Sequence, residues 1–265
     1  MARKAAASRL GIALVTCMLL VAPAAAQSPQ DQCAGKDGVP PDQRIAACST
    51  VIDNGNAAPR ERADAFLNRA NASYAKRDYD GAIVDYGAAI GLDPDNAAFH
   101  AARGRAYRSK RDYDHALADF DTAIRLDPNL ATAFGGRGIA NLLKGNDDQA
   151  IADLSEAIRR DPNVAESFDA RGRAYRHKQD YDRAFGDFNE AIRLDPKSAP
   201  ARVDRGEEYY RRKDYEHAVA DCDEPETTTI DAGGGVLVRL KLAGSRHPRP
   251  WPSRCRGRRP GWPWP

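Results

Sequence analysis

Tryptophan is absent from the first 250 residues; Trp251, Trp262 and Trp264 all fall near the end of the chain. The five cysteines (Cys17, Cys33, Cys48, Cys222 and Cys255) contain no Cys-x-x-Cys pair and no zinc spacing, so a dithiol redox centre and a cysteine metal cage have no support. His100, His115, His177, His217 and His247 are scattered, with none at helical spacing from another histidine or a cysteine. A glycine-rich phosphate loop and a Gly-x-Ser-x-Gly elbow are also missing. These absences leave no catalytic residues, no metal site and no cofactor to name, and the chain reads as a non-enzyme. The carboxylates are numerous, but they recur periodically, as helix caps and bridges do, and form no isolated acid–base pair.

Long apolar runs are equally scarce. The longest covers residues 10–21, too short to span a bilayer, and no transmembrane segment is expected. It follows Arg3, Lys4 and Arg9 and precedes Ala24-Ala25-Ala26, which is the layout of a cleavable export signal. The expectation is a signal over residues 1–26, cleavage after Ala26, and a periplasmic or secreted protein, with an uncleaved anchor as the alternative. In such a compartment Cys33 and Cys48 are candidates for a disulfide closing a short loop; the alternative is two free thiols. The net charge of +2 divides into +3 over residues 1–26, −7 over residues 27–225 and +6 beyond them. The body is acidic, so the overall charge gives no warrant for a nucleic-acid partner.

What the chain has in abundance is repetition. Residues 97–130 return, shifted by thirty-four, as 131–164 and 165–198, reach back over 63–96 and run forward incompletely over 199–224. Counting residue 97 as place one, place eight holds Ala70, Gly104, Gly138, Gly172 and Gly206. Place twenty holds Ala82, Ala116, Ala150, Ala184 and Ala218, and place thirty-two holds Pro94, Pro128, Pro162 and Pro196. A fixed period of this length marks one supersecondary unit that must stack to bury its apolar face. The pattern closely resembles the tetratricopeptide repeat family over roughly residues 63–224. The resemblance implies an all-α fold, a right-handed α-solenoid of antiparallel helix pairs, flanked by a disordered signal and a disordered tail. Residues 27–62 are read as an arm with a degenerate half-repeat: loop over 27–43, then a helix over 44–52 ended by a left-handed cap at Asn54-Gly55. Within each unit Asp78, Asp112, Asn146, Asp180 and Asp214 stand where they would cap the second helix. Small residues at places eight and twenty let the two helices approach closely, and Ala89, Ala123, Ala157 and Ala191 do the same toward the next unit. Tyr79, Tyr113, Tyr181 and Tyr215, with Phe120 and Phe188, are expected to fill gaps.

Two further features depend on place. Place seven is always arginine (Arg69, Arg103, Arg137, Arg171, Arg205) and place twenty-three always aspartate (Asp85, Asp119, Asp153, Asp187, Asp221). Antiparallel pairing brings the two places together, so an Arg–Asp bridge is expected inside every unit, with a run of solvated charges as the rival. In the family resembled, the first helices line a concave groove with places two, five, nine and twelve inward. Places nine and twelve are Asn71 and Tyr74, Arg105 and Arg108, Ile139 and Leu142, Arg173 and Arg176, then Glu207 and Tyr210. This implies a basic, apolar, basic stripe suited to an extended peptide with apolar side chains and a few carboxylates. The family's clamp for a C-terminal carboxylate is not matched, since Leu67 and Ala102 stand where Lys and Asn are needed.

The pattern breaks at Pro225. Residues 225–265 are rich in Pro, Arg and Trp, and two readings stay open: a genuine disordered arm, or an out-of-frame product. The function implied is a protein–protein interaction scaffold binding a peptide or partner segment in its groove. A self-assembling envelope protein and an enzyme of unrecognised site are the alternatives.

Overall fold

The computed structural model describes residues 28–35 and 38–222. The expected signal over 1–26 and the tail over 225–265 lie outside the described residues. Within them the chain is all-α, as expected. Two helices, α1 (Pro29–Cys33) and α2 (Pro41–Asp53), precede five antiparallel pairs. These are α3 (Pro59–Ala75) with α4 (Tyr79–Leu92), α5 (Ala97–Ser109) with α6 (Tyr113–Leu126), and α7 (Ala131–Lys144) with α8 (Asp147–Arg160). Then come α9 (Ala165–His177) with α10 (Tyr181–Leu194), and α11 (Ala199–Arg211) with α12 (Tyr215–Cys222). Each helix packs chiefly on its neighbours in sequence, as a stack requires.

Local chemistry sets the boundaries. Asp78, Asp112, Asp180 and Asp214 each accept a hydrogen bond from the amide three residues on. Asn146 makes no such cap; its amide Nδ2 instead donates to Asn141 Oδ1 at 3.3 Å. Asp127, Asp161 and Asp195, just past the second helices, accept from the amide two residues on, which turns the chain before the next unit. Between the helices of a pair the chain passes through the left-handed region at place fifteen. Only α7–α8 uses glycine there (Gly145, φ +84°); the others use Arg77, Arg111, Gln179 and Lys213.

The N-terminal arm differs from expectation. Residues 27–43 are not all loop: Ser28 caps α1 by accepting from the Asp31 amide, and α2 begins at Pro41. Proline suits a first helical position because its fixed φ is already helical and its missing donor is not needed there. Pro59 starts α3 four residues ahead of the expected 63 for the same reason. The end of α2 is not left-handed, since Asn54 has φ −70° and ψ 107°. Cys33 and Cys48 are joined by a disulfide, and both are buried with Ala47, Val51 and Ala65, so α1 and α2 cover the open face of α3.

The core repeats with the sequence. Ala at places twenty and twenty-seven is buried throughout, and place twenty-four wedges between units as Tyr86, Phe120, Leu154 and Phe188, each 0–1% exposed. Tyr86 and Leu154 fill gaps alongside the expected Phe120 and Phe188, whereas the place-seventeen tyrosines, also expected there, lie nearer the surface, Tyr215 being 44% exposed. At Gly172 the wedge leaves little room for a side chain: a Cβ would stand 2.7 Å from Phe188 and 3.2 Å from the Ala184 carbonyl, although the first unit holds Ala70 against Tyr86 at the same place.

Candidate functional site

All five Arg–Asp bridges form, each as a two-pronged contact. Arg171 Nε and Nη2 donate to Asp187 at 2.8 Å, and Arg69, Arg103, Arg137 and Arg205 do the same to Asp85, Asp119, Asp153 and Asp221 within 2.6–2.9 Å. The aspartate hydrogen bonds raise the already high pKa of these guanidiniums, against an opposing effect of burial. In three units the remaining Nη1 reaches back to place twenty-five of the preceding unit: Arg137 to Asp121, Arg171 to Ser155 and Arg205 to Asn189. The arginine therefore ties its own pair together and also ties it to the previous one. At Gly87 no such acceptor exists for Arg103, whose Nη1 lies 3.7 Å from where a Cβ would be. This charge framework is structural, and it is separate from the concave face.

On that face α5 and α7 enclose a hollow of about 350 Å³. Places two, five, nine and twelve of the second unit (Ala98, Ala101, Arg105 and Arg108) all line it. Small residues make the hollow: α7 contributes Thr132, Gly135 and Gly136, and its Ile139 forms part of the apolar floor with Leu67 and Val164. A Cβ on Gly136 would overlap the Phe120 ring, so no side chain fits there without moving the wedge.

The polar rim is built by named contacts. Tyr86 donates its hydroxyl to Asn71 Oδ1 at 2.7 Å, and Arg105 Nη2 donates to the same oxygen at 3.5 Å; burial also pushes the Tyr86 phenol upward in pKa. Arg105 is exposed, lies 4.8 Å over the Tyr74 ring and forms no ion pair among the described residues. Tyr74 is fixed by a 2.8 Å hydrogen bond to Ser109. Arg108 spans the hollow to Glu166 on α9 at 3.5 Å.

The remaining groove candidates are not presented as expected. Leu142 is 4% exposed and packs with Ala150, Leu154 and Ala174 inside the stack. Arg176 is 6% exposed, ion-paired to Asp204 at 3.0 Å and Glu207 at 2.8 Å, while Arg173 Nε stands 3.9 Å from Asp204. The second basic patch is thus neutralised from within by α11. Asn71, Arg105, Arg108 and Ile139 are the candidates that share one cavity. Glu166, at place two of the fourth unit, was not singled out by the sequence pattern. Its signal was its position on the same inward stripe.

Among the described residues no histidine lines this hollow. His115 and His217 are exposed and pair with their own caps, Asp112 and Asp214; the aspartate raises the His217 pKa, and the imidazole lowers that of Asp214. Among the described residues no group of three or more metal-binding side chains occurs, and no helix is long and apolar enough to cross a membrane.

Profiles of the tetratricopeptide repeat match residues 101–165 and 165–198, and a TPR repeat profile matches residues 70–108. No curated protein matches the chain in sequence. Among solved structures, a tetratricopeptide repeat protein from Parabacteroides merdae ATCC 43184 is 17% identical, covering 74% of this chain and 78% of its own, with a TM-score of 0.59. TTC0263, a thermophilic TPR protein of Thermus thermophilus, is 18% identical over 64% of this chain and 91% of its own, with a TM-score of 0.54. YrrB, a TPR protein with an unusual peptide-binding site, is 22% identical over 68% of this chain and 90% of its own, with a TM-score of 0.50. At these identities the likeness is one of fold.

Proposed function

Since the chain is a tetratricopeptide-repeat protein, we propose that it is a non-enzymatic scaffold that binds an extended segment of a protein partner across α3, α5 and α7. The observation that carries this reading is the hollow itself: an apolar floor over Gly135 and Gly136 beside an exposed arginine, Arg105, that pairs with no carboxylate among the described residues. A guanidinium held over an aromatic ring, next to an apolar pocket, complements a segment carrying a carboxylate beside a Leu- or Val-like residue. Arg108 adds a second cation, which such a ligand takes over from Glu166. The peptide binding described for YrrB agrees with this use of the fold. The reading extends to an exported protein working in the periplasm or outside the cell, supported by the signal-like residues 1–26 and by the Cys33–Cys48 bridge.

A screen of the purified chain against a peptide array, followed by titration of the best binder, tests the groove. Arg105→Glu and Arg108→Glu are expected to weaken that peptide at least about tenfold, roughly 1.4 kcal/mol, with helix content unchanged. Equal affinity for wild type and both variants would place the ligand elsewhere. Self-assembly is the second reading, favoured by exposed Tyr210, Tyr215 and Val219 on the last described pair. Light scattering on the purified chain separates an assembler from a monomeric scaffold.

A further inference from the structure

Place ten is among the most closely packed seats on a first helix. Ala72, Ala106, Ala140 and Ala174 occupy it, each 0–1% exposed. Three of them pack against the second helix of the preceding unit: Ala106 on Ala82 and Tyr86, Ala140 on Ala116 and Phe120, Ala174 on Ala150 and Leu154. The fifth unit places Glu208 there instead. Its side chain is 0% exposed, and neither carboxylate oxygen has a hydrogen-bond partner. A charge taken out of water without hydrogen bonds is among the most costly arrangements a protein interior can hold.

The charged groups around it offset that charge in part, but none of them hydrogen-bonds to it. From α9, Arg176 is already engaged by Asp204 and Glu207. On α11, Glu207 is a like charge, and Arg211 Nε stands 3.9 Å from Glu208 Oε1 with its side chain 42% exposed. Arg212, following α11, pairs with Asp182 at 2.7 Å. From the α9–α10 turn and the start of α10, Lys178, Asp180, Tyr181 and Asp182 line an open cavity of about 610 Å³ beside Glu208. Of these, Lys178 pairs with Asp148 and Asp180 with Arg183. Arg176 and the loosely placed Arg211 act on Glu208 only through space, and neither gives its carboxylate a hydrogen bond.

We propose that Glu208 makes docking of the α11–α12 pair on α9–α10 dependent on a proton: the pair is closed while Glu208 is a neutral acid and opens as the carboxylate forms. A neutral acid tolerates the alanine seat far better than a carboxylate does, and opening returns the carboxylate to water. Desolvation raises the Glu208 pKa, with Arg176 and Arg211 pulling the other way by less. The sign follows from linkage. A raised pKa in the closed form contributes stability that is fully present below the ordinary glutamate range and lost as pH rises through the raised value. The lowered caps Asp112, Asp180 and Asp214 act oppositely, losing stability only in more acid solution. Opening also frees Arg176 from Asp204 and Glu207. The proposal does not depend on the peptide reading of the groove.

Hydrogen exchange on the full chain, followed by mass spectrometry at several pH values and corrected for intrinsic rates, reads this opening directly. In wild type the opening constant of residues 199–211, relative to α5–α8, is expected to rise by about tenfold per pH unit above the ordinary carboxylate range, the slope for loss of one proton. It should level off above the raised pKa. Glu208→Ala, which restores the residue of the other four units, and Glu208→Gln should both remove the slope, and Glu208→Ala should be the better protected. A slope absent from wild type, or one that persists in Glu208→Ala, overturns the proposal.

Discussion

Arg108 and Arg176 share place twelve on the inward stripe, and they meet different fates because of what lies one unit further on. Opposite Arg108 in the second unit, α7 offers Gly136 at place six; opposite Arg176, α11 offers Asp204 there and Glu207 at place nine. The glycine leaves Arg108 to reach across the hollow to Glu166, whereas the acids of α11 bury and neutralise Arg176. The place-seven arginines show a third outcome, a guanidinium used as a structural tie. For Arg171 and Asp187, whose side chains are 19% and 9% exposed, a double-mutant cycle in urea denaturation is expected to return a coupling of roughly 1–3 kcal/mol. That exceeds the usual value for a solvated pair because the aspartate is largely desolvated and held by two prongs. Arg171→Lys should recover only part of it, since an ammonium cannot make the fork. A coupling near zero would mean that the bridge does not hold the angle of the pair.

Among the elements, the turn inside each pair separates local preference from the demands of the stack. Every pair needs a left-handed residue at place fifteen, yet only Gly145 is suited to it. Gly145→Ala is expected to cost about 1 kcal/mol, whereas Arg111→Gly at the equivalent place should be neutral or stabilising by up to about 1 kcal/mol. Chemical denaturation of both variants checks the pair of signs. Opposite signs identify backbone strain as the cause; losses in both would mean that the Arg111 side chain makes a contact that matters. The same turns show why helix ends were only partly legible. Asp caps announced themselves in sequence, but α1, the early start of α2 and the early start of α3 rest on prolines that also occur in loops. What α1 and α2 gain as helices is burial of Cys33, Ala47, Cys48 and Val51 against Ala65 of α3.

For the whole molecule, a repeat stack is a chain of neighbour contacts, and its ends decide where it begins to open. At the N-terminal end α1 is held on α2 by the Cys33–Cys48 bridge, which closes a loop with a sequence separation of 15. Reduction is expected to remove about 3 kcal/mol from that end in the loop-entropy account. Thermal unfolding with and without a phosphine reductant, probed by proteolysis near residue 40, tests it; an unchanged pattern would show that packing alone holds the arm. Along the stack a second ladder, unforeseen in the sequence, links place fourteen to place eighteen of the preceding unit. Its members are Lys110 with Asp80, Lys144 with Asp114, Lys178 with Asp148 and Arg212 with Asp182. These pairs lie thirty residues apart in sequence, so only the stacking of units brings them together.

The thirty-four-residue period and the facing of place seven by place twenty-three were legible in the sequence. Both depend on residues within one unit or on the identity of a place, and helical geometry translates spacing into a face without further information. The antiparallel pairs and the inward stripe were implied by the family resemblance, and the structure keeps only Asn71, Arg105, Arg108 and Ile139 of that stripe's candidates at one cavity. What the tertiary structure decided concerns neighbours one unit apart. It decided which arginines stay open, that Leu142 belongs to the core, that Glu166 reaches Arg108, and that Glu208 lies buried in an alanine's seat. Burial and pairing at those positions are set by how closely successive units approach. That distance follows from the volumes of side chains on both helices at once, and no single stretch of sequence contains it.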